Sequence, residues 1–250
     1  MLEIRHSNMD NTLALLKAYD EIYSSIGIQH LDSFYLWLIS LLRPEVGKIL
    51  VDVSCGQGRL VSLAQRMGIR TVGVDFSIEG LYIGHKHSPN SGWVAGDGEC
   101  LPIADQSVDY VTHIGSLEHY MDPQKGASEI ARILKPSGGA CILLPNAFGL
   151  WGNIRHVWRT GEVFDDGQPL QRYATRRTWE TLLIKGGLKI VDVMSYGEVV
   201  FPRTIQDAVL MIRRPRKILR YFLNLFIPLN LANHLVFICT KDQKQGTNKY

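Results

Sequence analysis

Asp52, Gly56, Gly58 and Asp75 are the residues whose types and spacing could do chemistry. The run Val-Asp-Val-Ser-Cys-Gly-Gln-Gly-Arg-Leu at 51–60 reads as a buried strand that stops at a tight glycine turn and opens into a helix. Glycine has no Cβ, so Gly56 and Gly58 can take left-handed angles and let backbone pass close to a ligand. The next strand ends at Asp75, an acid placed to hydrogen-bond two ribose hydroxyls. Together these features predict a nucleoside-bearing cofactor lying across the carboxyl ends of two parallel strands. A dinucleotide fingerprint would place glycine or alanine where this chain has Val61. That disfavours an NAD-dependent oxidoreductase, which stays as an alternative.

Positioning these groups requires a regular scaffold, and the hydrophobic period supplies one. Strands are expected at 48–53, 70–74, 92–95, 108–113 and 139–144, with helices at 59–67, 77–87 and 123–134 between them. Such alternation predicts an α/β fold with a parallel sheet and helices on both faces. Helices at 11–26 and 32–42 precede it, the second capped by Asp32 and stopped by Pro44. After it, Thr175 caps a helix ended by Gly186–Gly187. Strands at 188–194 and 234–240 follow, separated by a long helical and irregular stretch.

Composition sets the outer limits. The chain has 250 residues, 46% apolar and 20% charged, with a net charge of +3. That suits one globular α/β domain with an elaboration, and so small a charge does not argue for nucleic acid. Cys55, Cys100, Cys141 and Cys239 lack metal or disulfide spacing, so no metal site is expected. Residues 1–10 do not read as a secretory signal, and a cytoplasmic location is expected.

Further motifs sharpen the reading. Gly96-Asp97-Gly98-Glu99-Cys100-Leu101-Pro102 follows the third strand. Ile114-Gly115-Ser116-Leu117-Glu118-His119-Tyr120 ends the fourth, and Ala131-Arg132-Ile133-Leu134-Lys135-Pro136-Ser137-Gly138-Gly139 closes the next helix. With the glycine turn, these make residues 45–145 resemble class I S-adenosylmethionine (SAM) methyltransferases of type 11, the ubiquinone and menaquinone methyltransferase relatives. The family commonly has glycine where this chain has Ser54. The resemblance implies a Rossmann-like, doubly wound, seven-stranded, mostly parallel sheet whose last strand is antiparallel. It implies SAM as cofactor, leaving as S-adenosylhomocysteine. The residues it implies around SAM are Asp52, Ser54, Gly56, Gly58, Asp75, Phe76, Asp97, Gly98, Ile114, Gly115 and Ser116. Asp97 would contact the adenine amino group and Gly98 would present backbone to the ring. Asp52 either bonds the turn's amides or meets the methionine end. His119 is nominated as a general base, with a structural histidine as the alternative.

The rest of the chain bears on the acceptor, expected to be a small molecule methylated on oxygen. Residues 1–44 read as an N-terminal helical lid, 45–145 as the cofactor core, 146–241 as a substrate-lid insertion with the C-terminal strands, and 242–250 as a polar tail. Tyr19, Tyr23, His30, Ser33 and Tyr35 suit a lid, or else face the core. The connection at 146–173 holds Trp151, Arg155, His156, Trp158, Arg159, Asp165, Asp166, Gln168, Arg172 and Tyr173, which would suit a sugar or lipid-linked glycan, or form a simple lid. Residues 213–228 put basic groups beside an apolar stripe too short and interrupted to span a bilayer. A core-packing helix is the favoured reading there and a peripheral membrane contact the other, with nucleic acid third. Oligomeric state is not fixed by the sequence. A non-catalytic SAM-fold binding protein is the last alternative.

Overall fold

The computed structural model describes residues 1–5, 17, 19–21 and 30–243. The strands are β1 (Leu2–Arg5), β2 (Ile49–Val53), β3 (Arg70–Asp75), β4 (Gly92–Ala95), β5 (Val108–Ile114), β6 (Leu134–Pro145), β7 (Leu170–Tyr173), β8 (Leu188–Tyr196) and β9 (His234–Lys241). The α-helices among the described residues are α1 (Asp32–Leu42), α2 (Arg59–Arg66), α3 (Ile78–His87), α4 (Pro123–Ile133), α5 (Arg155–Thr160), α6 (Arg176–Lys185), α7 (Ile205–Ile212) and α8 (Pro215–Asn224). Most of the helix expected at 11–26, Tyr23 included, lies outside the described residues.

Seven strands form one sheet in the order β4-β3-β2-β5-β6-β9-β8. β9 runs antiparallel to both its neighbours, and the remaining pairs are parallel. The pleat sorts side chains by parity. Leu50, Cys141, Leu143 and Val236 pack with Phe34 and Leu38 of α1 and Leu60 of α2. Val51, Val53, Ile142, Leu144 and Phe237 pack on the opposite face with Ile130 of α4 and Trp179 of α6. Trp179 is fully buried, and its indole N–H donates to the Pro145 carbonyl at 2.8 Å, fixing α6 to the end of β6.

The structure departs from the expectations at three places. Asp32 is not the N-cap of α1; Leu31 holds that position without a side-chain bond, and Asp32 instead pairs with Arg59 at 2.6 Å. β6 begins at Leu134, not 139, because Leu134 pairs with Val108 before a register shift. Residues 146–173 are not structureless: they carry a π-helical turn (Leu150–Ile154), α5 and β7. β7 pairs antiparallel with β1 in a separate two-stranded sheet.

Candidate functional site

The glycine turn sits where β2 feeds α2. Ser54, Gly56 and Gly58 all have positive φ, at 56°, 52° and 66°. Glycine takes such angles freely, whereas a residue with a Cβ is strained there, so Ser54 is the costly member of the three. Its hydroxyl lies 2.7 Å from the Tyr120 hydroxyl, a bond that glycine would lack. Tyr120 also meets His113 Nε2 at 2.9 Å.

Asp75 braces the turn from the next strand. Its carboxylate accepts from the Gly56 amide at 2.8 Å and the Ser77 amide at 2.9 Å. Burial pushes its pKa up to about 6 against the pull of those amides. Asp52 lies one strand over and accepts from the Thr112 hydroxyl at 2.6 Å. Burial pushes it up to about 7. Of the two acids it is thus Asp75, not Asp52, that bonds the turn's amides.

A cavity of about 1010 Å³ opens over this turn at the carboxyl ends of the strands. Asp52, Ser54, Gly56, Gly58, Ile114, Gly115, Ser116 and His119 line it. Asp75, Phe76, Asp97 and Gly98 are outside its lining, at the ends of β3 and β4. There Tyr19 stacks edge-on against Phe76, with centroids 5.4 Å apart, and its hydroxyl donates to Gln168 at 3.1 Å. Tyr19 thus bridges the end of β3 and the 146–173 insertion. Asp97 is exposed and accepts from the Glu99 amide at 2.9 Å.

Two glycines have a packing cause besides the one expected. A Cβ on Gly98 would fall 1.8 Å from the Tyr120 hydroxyl, so Gly98 makes room for that ring. A Cβ on Gly58 would fall 2.1 Å from Trp93, which also presses on Gly73 and Gly84. Packing against aromatic rings, as well as backbone angle at Gly58, requires glycine at these positions.

Glu118 and His119 stand side by side in the cavity, and burial shifts both. His119 Nδ1 bonds the Leu170 carbonyl, so that nitrogen carries the proton and Nε2 remains the acceptor. Burial lowers the pKa of the ring, keeping it neutral. Glu118 Oε1 lies 3.8 Å from Nε2, and Glu118 Oε2 is buried without a partner among the described residues. Burial pushes the Glu118 carboxyl up to about 8.

The far half of the cavity is walled by the insertion and by the β8–β9 connection. Trp151, Arg155, His156, Arg159, Asp166, Gln168 and Tyr173 line it; Trp158, Asp165 and Arg172 do not. Trp158 is 83% exposed. Arg172 is buried, pairs with Glu3 at 2.8 Å and donates to the carbonyls of Tyr120 and Met121, which makes it a clamp on the turn after β5. Sequence reasoning missed the opposite wall: Tyr196, Glu198, Asp207, Arg220, Asn233 and His234. The polar pair Asn233-His234 at the mouth of an apolar strand was its one signal. Asn233 accepts from the Trp151 and Gly152 amides, both at 3.0 Å, and donates to Glu198 at 2.8 Å.

Residues 51–142 match the family model described as "Methyltransferase domain". A demethylmenaquinone methyltransferase of Renibacterium salmoninarum is 32% identical over 112 residues, 45% of this chain and 47% of that protein. The chain thus spans about half the length of the curated relatives it matches. Among solved structures, a chain of the complex of the Haloferax volcanii Trm112 methyltransferase activator with its methyltransferase superposes with TM-score 0.65. It is 19% identical, over 92% of this chain and 97% of that one. The [4+2]-cyclase SpnF superposes with TM-score 0.60 at 17% identity, over 84% and 81%. Over residues 51–142 the chain is similar to the methyltransferase-domain family of type 11, and its fold is the class I, Rossmann-like one of the solved SAM-dependent methyltransferases. Because a cyclase shares the fold, the fold by itself does not fix the reaction.

Proposed function

We propose that the protein transfers a methyl group from SAM to a hydroxyl oxygen of a small polar acceptor, a sugar or lipid-linked glycan, in the cytoplasm. One observation carries the acceptor class. Trp151, Asn153, Gln171 and His234 line one cavity, and each carries a buried polar atom (Nε1, Oδ1, Oε1 and Nδ1) without a partner among the described residues. Unpaired buried polar groups cost about 1–3 kcal/mol each, so such a wall is stabilised by a ligand that both donates and accepts hydrogen bonds. A hydroxyl-rich molecule does this; an isoprenoid quinol head, with few hydroxyls, satisfies fewer of them. These residues, apart from the family-matched core, belong to segments beyond residue 142.

The residues present fit SAM. The turn at Ser54–Gly58 offers backbone at positive φ beside Asp52, and the cavity is large enough for a cofactor and a second molecule. Asp52, Ser54, Gly56 and Gly58 would hold the amino-acid end, Asp75, Phe76, Asp97 and Gly98 the nucleoside end, and Ile114–Ser116 the floor between. SAM supplies an electrophilic methyl whose leaving group is a neutral thioether, so no acid is needed. Neutral His119 takes the acceptor's hydroxyl proton at Nε2, and the Glu118 carboxyl orients the hydroxyl. The described parts of 1–44, Tyr19 and α1 among them, exclude water as lids together with 146–173, and positioning supplies much of the rate.

The test is transfer of labelled methyl to a panel of nucleotide-sugars, lipid-linked sugars, demethylmenaquinol and small phenols. Label on a sugar is expected. Turnover of quinols or phenols alone overturns the acceptor class. SAM binding by calorimetry with no turnover on any acceptor points to the non-catalytic reading.

A further inference from the structure

We propose that the face built from α7, α8 and the segments flanking them docks on an anionic lipid surface. The apolar side chains there are turned outward. Ile205 is 86% exposed, Ile212 72% and Phe226 84%, and Phe201, Leu219 and Leu225 are exposed as well. Their spacing is helical: Ile205, Val209 and Ile212 repeat at i, i+4, i+7, and Leu219, Phe222, Leu223 and Phe226 at i, i+3, i+4, i+7. The first set and Leu219, Phe222 and Leu223 therefore form one stripe along each helix, and Phe226 follows in the turn just past α8. Isolated exposed apolar residues are ordinary; this many in one contiguous stretch mark an interaction surface.

Charge selects the partner. Positions 203, 213, 214, 216, 217 and 220 are basic, and between 203 and 228 the single acid is Asp207. Asp207 does not face outward: it is buried and accepts from the Ser33 amide at 2.7 Å and the Ser33 hydroxyl at 2.6 Å. Arg213, Arg214 and Arg216 are exposed. Arg220 pairs with Glu198 at 2.9 Å, but an apolar stripe bordered by the exposed Arg213, Arg214 and Arg216 fits an anionic interface, where the stripe enters the acyl boundary and the arginines meet headgroups. No helix among the described residues is long and apolar enough to cross a membrane, so the contact lies in the plane of the surface. The sequence alone favoured core packing for 213–228, and the exposure of these residues runs against it.

The same face adjoins the acceptor side of the molecule. A second cavity of about 320 Å³ is lined by Trp37, Val200, Phe201, Tyr221, Leu225 and Ile227. It shares Trp151, Tyr196 and Asn233 with the large cavity. Phe201 and Leu225 are both exposed and part of this lining, so the docking face borders a cavity that shares a wall with the large one. The docking itself does not depend on methyl transfer.

The experiment is sedimentation of the full chain with phosphatidylcholine vesicles, with and without phosphatidylglycerol, over a range of salt. Binding to the anionic vesicles alone, weakening with salt, is expected. Arg213→Ala and Arg214→Ala should each weaken it about fivefold. Phe226→Asp, at a position too exposed to affect folding, should abolish it while leaving SAM affinity unchanged. No binding to anionic vesicles at low salt overturns the proposal, as does binding that survives Phe226→Asp. Concentration-dependent self-association that Phe226→Asp removes, without vesicle binding, would assign the face to a second copy of the chain and overturn it equally.

Discussion

Replacing Glu118 with glutamine tests whether the carboxyl in the cavity is as desolvated as its surroundings require. Burial raises this group from an ordinary 4.5 to about 8, and one oxygen has no partner among the described residues. Between those values the folded protein keeps a proton that the unfolded chain releases. Stability from this group is therefore fully present below about pH 4.5 and is lost as pH rises through about 8. Each pH unit in that window is worth about 1.4 kcal/mol, so going from about pH 5 to about pH 8 costs at most about 4 kcal/mol. Glutamine keeps the shape and cannot ionise. Urea unfolding across that range, extrapolated linearly to water, should give a shallower decline for Glu118→Gln than for the parent. The difference between the two curves cancels the titration of Asp52, which is raised to about 7 in both. Parallel curves would show that Glu118 is solvated or paired, and the argument for its role in the cavity would fall with them.

Ser54 and Gly98 give two further tests. Ser54→Ala keeps the strain of a positive φ and loses the bond to Tyr120, so it should cost about 0.5–1.5 kcal/mol in unfolding free energy. Ser54→Gly relieves about 1–2 kcal/mol of strain against that lost bond and about 0.4–1 kcal/mol of chain entropy, and should stay within about 1 kcal/mol of the parent. Alanine matching or exceeding glycine in stability would show that the backbone there is not strained. Gly98→Ala should destabilise by about 1–3 kcal/mol through overpacking on Tyr120. Adding Tyr120→Leu should give a total well below the sum of the two single effects in a double-mutant cycle, and simple additivity would refute the contact.

The cofactor half was legible because its constraints are local. A buried strand, a turn demanding positive φ and a helix must follow one another within 51–66, and period and glycines announce all three. The thread of β9 between β6 and β8 came from family resemblance, since alternation alone cannot specify a neighbour distant in sequence. The pairing of β1 with β7 was not legible: Leu2-Glu-Ile-Arg5 is largely exposed and mixed in charge, and its partner lies beyond residue 169. Gly98 shows another limit. Its neighbours in sequence suggest a ligand, while the ring that excludes a Cβ arrives from residue 120. Likewise, nothing in the spacing of Glu198, Arg220 and His234 says that they share one wall.

The position of β9 constrains how the molecule can be made. β8 joins the sheet only through β9, and β9 ends at Lys241. A ribosome delivering the chain from its N-terminus therefore holds β8 without a pairing partner until residues 234–241 have emerged. During that interval the outer strand presents unpaired backbone, the kind of edge that favours aggregation. A stop codon just upstream of 234 would leave β8 with no partner and turn β6 into a sheet edge.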